Sequence, residues 1–304
     1  MSNTIDIGNC CDLPLYNLTF GLDTTVIDSC PPLNIALRSI SMILSNEHLL
    51  TNFATHFLPF KEYDGRFPSS VPSYIMEKMK MTFTNANVPT IVLSSEEFLD
   101  TPITCAIYGS YKGRQRENDI NIIYLNKELI DCSKLSDLPQ YIIKYASIIL
   151  FTILHELGHW TFHHFSCALD HDLATPKGVL MEEAGEAVEF LMFGFKIQHY
   201  GPQEPKYMID DIVTHCNNTY RIVPIGYLSM LFRLNTFEHV EDCKSLTIPI
   251  MQLITSPMLT EELSKFNYKR VFDPTDEPML DSTININCPI AKRVLMSCDK
   301  KCKS

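Results

Sequence analysis

Residues 151–164 read FTILHELGHWTFHH, the polar end of a run that is apolar almost without break from Ala146. His155 and His159 stand four positions apart, with Glu156 next to the first. On an α-helix that spacing puts both imidazoles on one face, one turn apart. There both can reach a single Zn²⁺ at about 2.0–2.1 Å. Glu156 lies one position round the helix, where it can reach a water held by the metal, the place of a general base. Gly158 withholds a side chain beside His159, so that another backbone or a substrate can come near, at a cost of about 1 kcal/mol in helix propensity relative to Ala. A helix apolar on nearly all its faces is a buried one, and ionisable groups at its end need partners. A metal with its water supplies them. The competing reading is a chance match at the exposed end of a structural helix, since HExxH fixes only three of its five positions.

With 304 residues, 45% of them hydrophobic and 20% charged, the chain can bury a sizeable core within one large domain. A net charge of −11 argues against a nucleic-acid surface, which would show clustered Lys and Arg. The short basic stretch Lys112-Gly-Arg114-Gln-Arg116 reads as a solvated hairpin tip. The N-terminal stretch MSNTIDIGNCCDLPL has neither a basic n-region nor an apolar h-region. The apolar run Ala146–Leu154 is shorter than the ~20 residues a membrane span requires. These features predict a soluble cytoplasmic protein with neither nucleic acid nor membrane as partner. The 11 cysteines are scattered, odd in number and form no CxxC pair, which favours reduced thiols buried as small apolar residues.

Pro31 and Pro32 fit the first turn of a helix, and the apolar spacing carries it to about Phe57. A second helix covers Ser73–Thr82. Three β-branched runs follow at Val88–Leu93, Thr104–Tyr108 and Ile120–Leu125, with the Gly- and charge-rich stretch Gly109–Asp119 as a hairpin turn. A long helix runs from about Leu138 to His164. After a connection containing Pro176 and Gly178, another extends from Val179 to about Ile197. Past Pro202 the pattern is mixed helix, clearest at Tyr227–Leu234 and Thr260–Lys265, with a loose end of about fifteen residues.

The pentapeptide His155-Glu-Leu-Gly-His159 matches the zincin signature, and a strand hairpin followed by a buried helix matches zincin order. The resemblance to zincin metallopeptidases covers about residues 104–195. It implies an α+β, zincin-like fold, with a small mixed sheet and hairpin packed on a buried active-site helix and a mainly helical C-terminal part. One catalytic domain spans 1–304: an irregular arm over 1–30, an N-terminal lobe over 31–164 with the sheet and HExxH helix, and a C-terminal lobe over 165–304 with the third ligand. In zincins the strand before the helix borders the cleft and pairs with extended substrate, a role that falls here to Ile120–Leu125.

Metzincins continue the motif as HExxHxxGxxH, but Phe162 and Phe165 occupy those positions, so this chain is not of that branch. Gluzincins take the third ligand as Glu from a following helix, and the stretch Met181–Gly194 offers Glu182, Glu183, Glu186 and Glu189. On a helical wheel Leu180, Ala184, Ala187, Val188, Leu191 and Phe195 form the core stripe. Glu183 flanks it and is the predicted third ligand. Glu186, one turn on, is the expected carboxylate orienting a histidine and the alternative ligand, while Glu182 and Glu189 are read as solvated. The Asp or Asn that commonly accompanies such a Glu is absent. His163 lies too far along the helix to share the ion, and His164, Asp170, His171 and Asp172 have no positional support. His215, Tyr220, Tyr227 and His239 lie downstream, where thermolysin-like enzymes keep an oxyanion donor; no motif selects one.

The implied protein is a zinc-dependent metallopeptidase acting on a peptide or protein substrate. One Zn²⁺ sits on His155, His159 and Glu183, with Glu156 as catalytic base. Three other readings compete: a zincin-fold binding or sensor module with metal but little turnover, another metal-assisted hydrolase such as an amidase, and a helical interaction protein in which the motif is fortuitous.

Overall fold

In a computed structural model, residues 12–57, 71–99, 106–113, 115–166, 183–201, 206–216, 219–238, 246–247 and 254–255 are described. The stretch read as an irregular arm is, from residue 12, part of the core: Leu13, Leu18, Phe20 and Ile27 are buried, and helix α1 spans Thr24–Asp28. Pro31 opens helix α2 (Pro31–Ser45), as its fixed φ favours. The helix expected to reach Phe57 stops at Ser45. Asn46 turns extended, and its side chain accepts from the amides of His48 and Leu49, which starts helix α3 (Glu47–Leu50) in a new direction. A 3-10 segment, Thr51–Phe57, completes the stretch, and helix α4 (Ser73–Thr82) has the expected bounds.

The first sheet contains β1 (Thr90–Ser94), β2 (Gly109–Tyr111) and β3 (Ile122–Asn126) in the order β1-β3-β2. Strand β3 is parallel to β1 and antiparallel to β2, so the sheet is mixed. Two expectations are corrected. The middle strand stands at Gly109–Tyr111, inside the stretch read as a turn, while 101–105 lie outside the described residues. The segment Ile120–Leu125 does not form a free edge: its strand, β3, is central and paired on both sides, and β1 and β2 are the edges.

Helix α5 (Lys127–Ser133) is capped by Asn126, and helix α6 (Pro139–Phe165) matches the long predicted helix within one residue at each end. By length and composition α6 would also suit a bilayer, a point the short apolar run did not reveal. However, 89% of its most apolar window is buried inside the fold, as in the core helix of a globular protein. Helix α7 (Ala184–Phe193) is shorter than the predicted 179–197. The mainly helical C-terminal part is corrected as well. Strands β4 (Lys196–Tyr200), β5 (Asp211–Cys216), β6 (Thr219–Ile222) and β7 (Ile254–Thr255) form an antiparallel sheet in sequential order. Short helices α8 (Ile225–Met230) and α9 (Leu234–Glu238) overlap the predicted Tyr227–Leu234 piece. Thr260–Lys265 and the chain end lie outside the described residues.

One contiguous core joins residues from Leu13 to Leu246, so both expected lobes share it, and α6 runs through its middle. Phe151 on α6 meets Phe193 on α7 edge-on at 4.8 Å between ring centroids. The second sheet is fastened to the first half of α6, where Lys144 pairs with Asp211 at 2.9 Å and the Tyr145 hydroxyl donates to the Tyr207 carbonyl at 2.9 Å. Cys30 and Cys132 are free thiols, the former buried against Ser133.

Truncating Phe151 to Ala removes a fully buried ring at the α6–α7 contact and should cost about 3–5 kcal/mol in urea unfolding. Leu135→Ala, at a side chain 74% exposed, should change stability by less than about 0.5 kcal/mol.

Candidate metal centre

Helix α6 delivers His155 and His159 to one face at its buried end. Glu183 comes from the residue just before α7, where φ is −59° and ψ is 162° and its side chain makes no capping bond. Its carboxylate turns instead toward α6. Glu183 Oε1 stands 3.1 Å from His155 Nε2 and 3.7 Å from His159 Nε2, and the two imidazole Nε2 atoms are 3.1 Å apart. Among the described residues these three side chains are the one His/Cys/Asp/Glu group whose ligand atoms all lie within 4.8 Å of one another.

Two glycines permit this approach. A Cβ at 158 would stand 2.7 Å from the Ala184 carbonyl oxygen, and a Cβ at 185 would stand 2.6 Å from ring atoms of His155. Any side chain at either position would force α6 and α7 apart. Gly158, noted in the sequence as leaving room for another backbone, faces the first turn of α7.

The three ligand atoms fit a divalent ion. His155 Nδ1 lies 2.8 Å from Glu189 Oε1, and a carboxylate there favours the tautomer with the proton on Nδ1, which leaves the Nε2 lone pair facing the cluster. Glu183 Oε1 is enclosed and no donor is aligned on it. Separations of 3.1, 3.1 and 3.7 Å scatter around the ~3.3 Å edge expected for a tetrahedral sphere with bonds of 2.0–2.1 Å. Two lone pairs and a carboxylate oxygen crowded together are poorly satisfied by hydrogen bonds alone and well satisfied by a cation.

Burial pushes the Glu183 carboxyl up, but positive charge on the His159 and His155 imidazoles outweighs it and holds the group well below the ordinary carboxylate range; a cation that replaced those protons would act in the same sense. The site is nearly enclosed: the side chains of His159 and Glu183 are each 13% exposed and that of His155 only 1%. Glu156, 4% exposed, faces the edge strand. A Cβ at Gly109 would stand 3.1 Å from Glu156 Cγ and 2.6 Å from the Thr152 methyl, so β2 passes close against the helix where Glu156 sits.

The structure reassigns the carboxylates of α7. Glu189, read as solvated, is 1% exposed. One of its oxygens meets His155 Nδ1 and the other accepts from the Ile197 amide at 3.0 Å. It therefore occupies the orienting place expected of Glu186, which is also buried, at 4% exposed, but is not in the ligand cluster. Glu182 lies outside the described residues, as do Asp170, His171 and Asp172. His163 meets the Tyr111 hydroxyl at 2.6 Å, apart from the cluster as expected, and His164 Nε2 lies 2.9 Å from the Ile120 carbonyl oxygen. Tyr227 donates to the Leu246 carbonyl and is buried in the core, a structural placement. His215 and Tyr220 are backbone partners in the β5–β6 register, and His239 lies outside the described residues.

A further histidine went unread in the sequence. His199 on β4 is buried, with Nε2 3.5 Å from the Tyr108 hydroxyl. Burial pushes its pKa down to about 3. A lone histidine in a β-run gives no sequence signal, and what places it is the sheet the sequence did not reveal. Comparison with protein-family models, curated proteins and solved structures finds no match to the chain.

If the cluster takes up zinc, Glu189→Ala should weaken that binding about 10–100-fold, the usual cost of losing a carboxylate behind a metal-binding histidine, read by competition with a chromophoric chelator. Gly185→Ala, which places a methyl on the His155 ring, should lose at least as much. Because the folded His199 pKa of about 3 lies below its unfolded value of about 6.5, the unfolded chain binds the proton first. Stability therefore rises with pH across that window and falls on acidification. This residue should contribute a slope of up to about 1.4 kcal/mol per pH unit. Urea unfolding between pH 7 and 4.5 should show a flatter profile for His199→Gln than for the wild type.

Proposed function

We propose that the protein is a zinc-dependent peptidase in which His155, His159 and Glu183 hold one Zn²⁺ and Glu156 is the general base. The observation that carries this reading is the convergence of two imidazole nitrogens and one enclosed carboxylate oxygen within 3.1–3.7 Å, on the helix that also bears Glu156. When bound there, Zn²⁺ acidifies water and polarises a carbonyl oxygen.

The chain's own groups supply the remaining steps. Glu189 fixes the His155 ring by its Nδ1 proton, so that Nε2 is available as a ligand. Glu156, one position round α6 and pressed close to β2, takes the proton from the attacking water and returns it to the departing amine. Strand β2 is an edge of the first sheet, paired to β3 alone, and a sheet edge suits an extended peptide laid alongside Glu156. Enclosure of the ligand side chains restricts access to an extended or locally unfolded segment of a protein substrate. A reducing, cytoplasmic setting accords with the free Cys30 and Cys132 thiols.

Purified protein should carry about one zinc per chain. Glu156→Gln should keep that zinc and lower peptide cleavage by roughly 10²–10⁴-fold. Comparing protein termini in cells expressing either form should then reveal the substrates. Protein purified without zinc, and unable to take it up, would end the metal reading. Zinc without cleavage would favour a binding or sensor module.

A further inference from the structure

The edge strand β2 is three residues long and is paired on one side only, to β3. So short a strand is weakly held by its ladder alone. One phenol adds a second attachment. The Tyr111 hydroxyl lies 3.0 Å from the Ile120 carbonyl oxygen and 2.6 Å from His163 Nδ1. A carbonyl can only accept, so the phenol gives its one proton to Ile120, and His163 completes the pair by donating its Nδ1 proton to the phenol oxygen. This single oxygen joins β2, the segment leading into β3, and the last turns of α6. Gly109 and Tyr111 are two apart in β2 and so face the same side. The first lies over Glu156 and the second over His163, which is seven residues further along the same helix.

The geometry points to Tyr111 and His163 as positioning residues that fasten the edge strand to the HExxH helix and thereby set the gap between β2 and Glu156. The attachment itself stands on the distances above; its bearing on turnover rests on the peptidase reading. A peptide paired with β2 is carried by that strand, so a shift of β2 moves the scissile bond relative to Glu156. Misplacement of this kind acts on the transition state more than on ground-state binding.

The test uses the full-length, zinc-loaded protein. Tyr111→Phe should speed hydrogen exchange of the 109–111 amides about ten-fold. It should lower kcat about ten-fold with KM changed less than about three-fold, and leave zinc content unaltered. His163→Leu should do the same. His163→Gln, whose side-chain amide can still donate to the phenol, should recover both readouts to within about three-fold of wild type. The double variant Tyr111→Phe/His163→Leu should be no worse than either single change, as for two ends of one bond. Exchange unchanged by Tyr111→Phe, additive losses in the double variant, or accelerated exchange with kcat unaltered would each overturn the assignment. If the wild type cleaves no peptide, the peptidase reading fails by itself, and the exchange measurements on the four variants still decide whether the attachment holds β2.

Discussion

The close crossing of α6 and α7 is the constraint on which the site depends. The helices meet where Gly158 faces the Ala184 carbonyl and Gly185 faces the His155 ring, both at distances a Cβ would violate. Elsewhere along the same contact the surfaces are filled by large side chains such as Phe151 and Phe193. The pair is thus pinned apart by aromatic rings at one point and allowed together at another. Only at the second point can a carboxylate from the start of α7 reach imidazoles on α6. The cost of two glycines in helices, about 1 kcal/mol each relative to Ala, is difficult to rationalise by packing alone, since an alanine at a slightly wider crossing would bury as much surface.

Carboxylates and imidazoles are gathered there out of water. Glu156, Glu186 and Glu189 are each no more than 4% exposed, and Glu183 is mostly buried beside them. Glu183 meets His155 and His159, and Glu189 meets His155 and the Ile197 amide. Charged groups taken out of water cost several kcal/mol each unless paired and hydrogen-bonded. A divalent ion bound there would offset that cost for the carboxylate and the two lone pairs it touched, and its binding energy would become folding energy for the α6–α7 contact. The same interaction that would make the site reactive would thus help hold the two helices at their close crossing.

How much of this was legible in the sequence follows from the kind of signal each element emits. Helix α6 and the spacing of His155, Glu156 and His159 were readable, because a long apolar run and an i, i+4 pair depend only on local geometry. Glu183 was reached through the wheel of the next helix. Glu189 was not, because that wheel assumed a solvent side. From Ala184 to Glu189 every residue of α7 is buried, so there is no polar face for a glutamate to mark. The position of β2 was missed because a Gly-led strand of three residues has the composition of a turn, and only pairing with Leu125, Tyr124 and Ile123 makes it a strand. The break between α2 and α3 falls at Asn46, a capping residue type, and the apolar spacing that continues on either side gives no sign of it.

The largest omission, the second sheet, and the misreading of Glu189 have one physical cause. Strands β5 and β6 are β-branched runs separated by two residues, Asn217 and Asn218, a spacing that favours a hairpin. Read that way, the segment following α7 becomes a sheet whose first strand, β4, has an outer edge in need of hydrogen-bond partners. Glu189 meets that need by accepting the Ile197 amide with one oxygen, while its other oxygen holds His155. A glutamate late in a buried helix therefore has two claims on it: a strand edge that must not be left unpaired and a ligand imidazole that must keep one tautomer. Neither claim is visible without the sheet, and with it the carboxylate has no better place to be. Through Glu189 the second sheet acts on the His155–His159–Glu183 cluster as well as on the core, because moving β4 would turn His155.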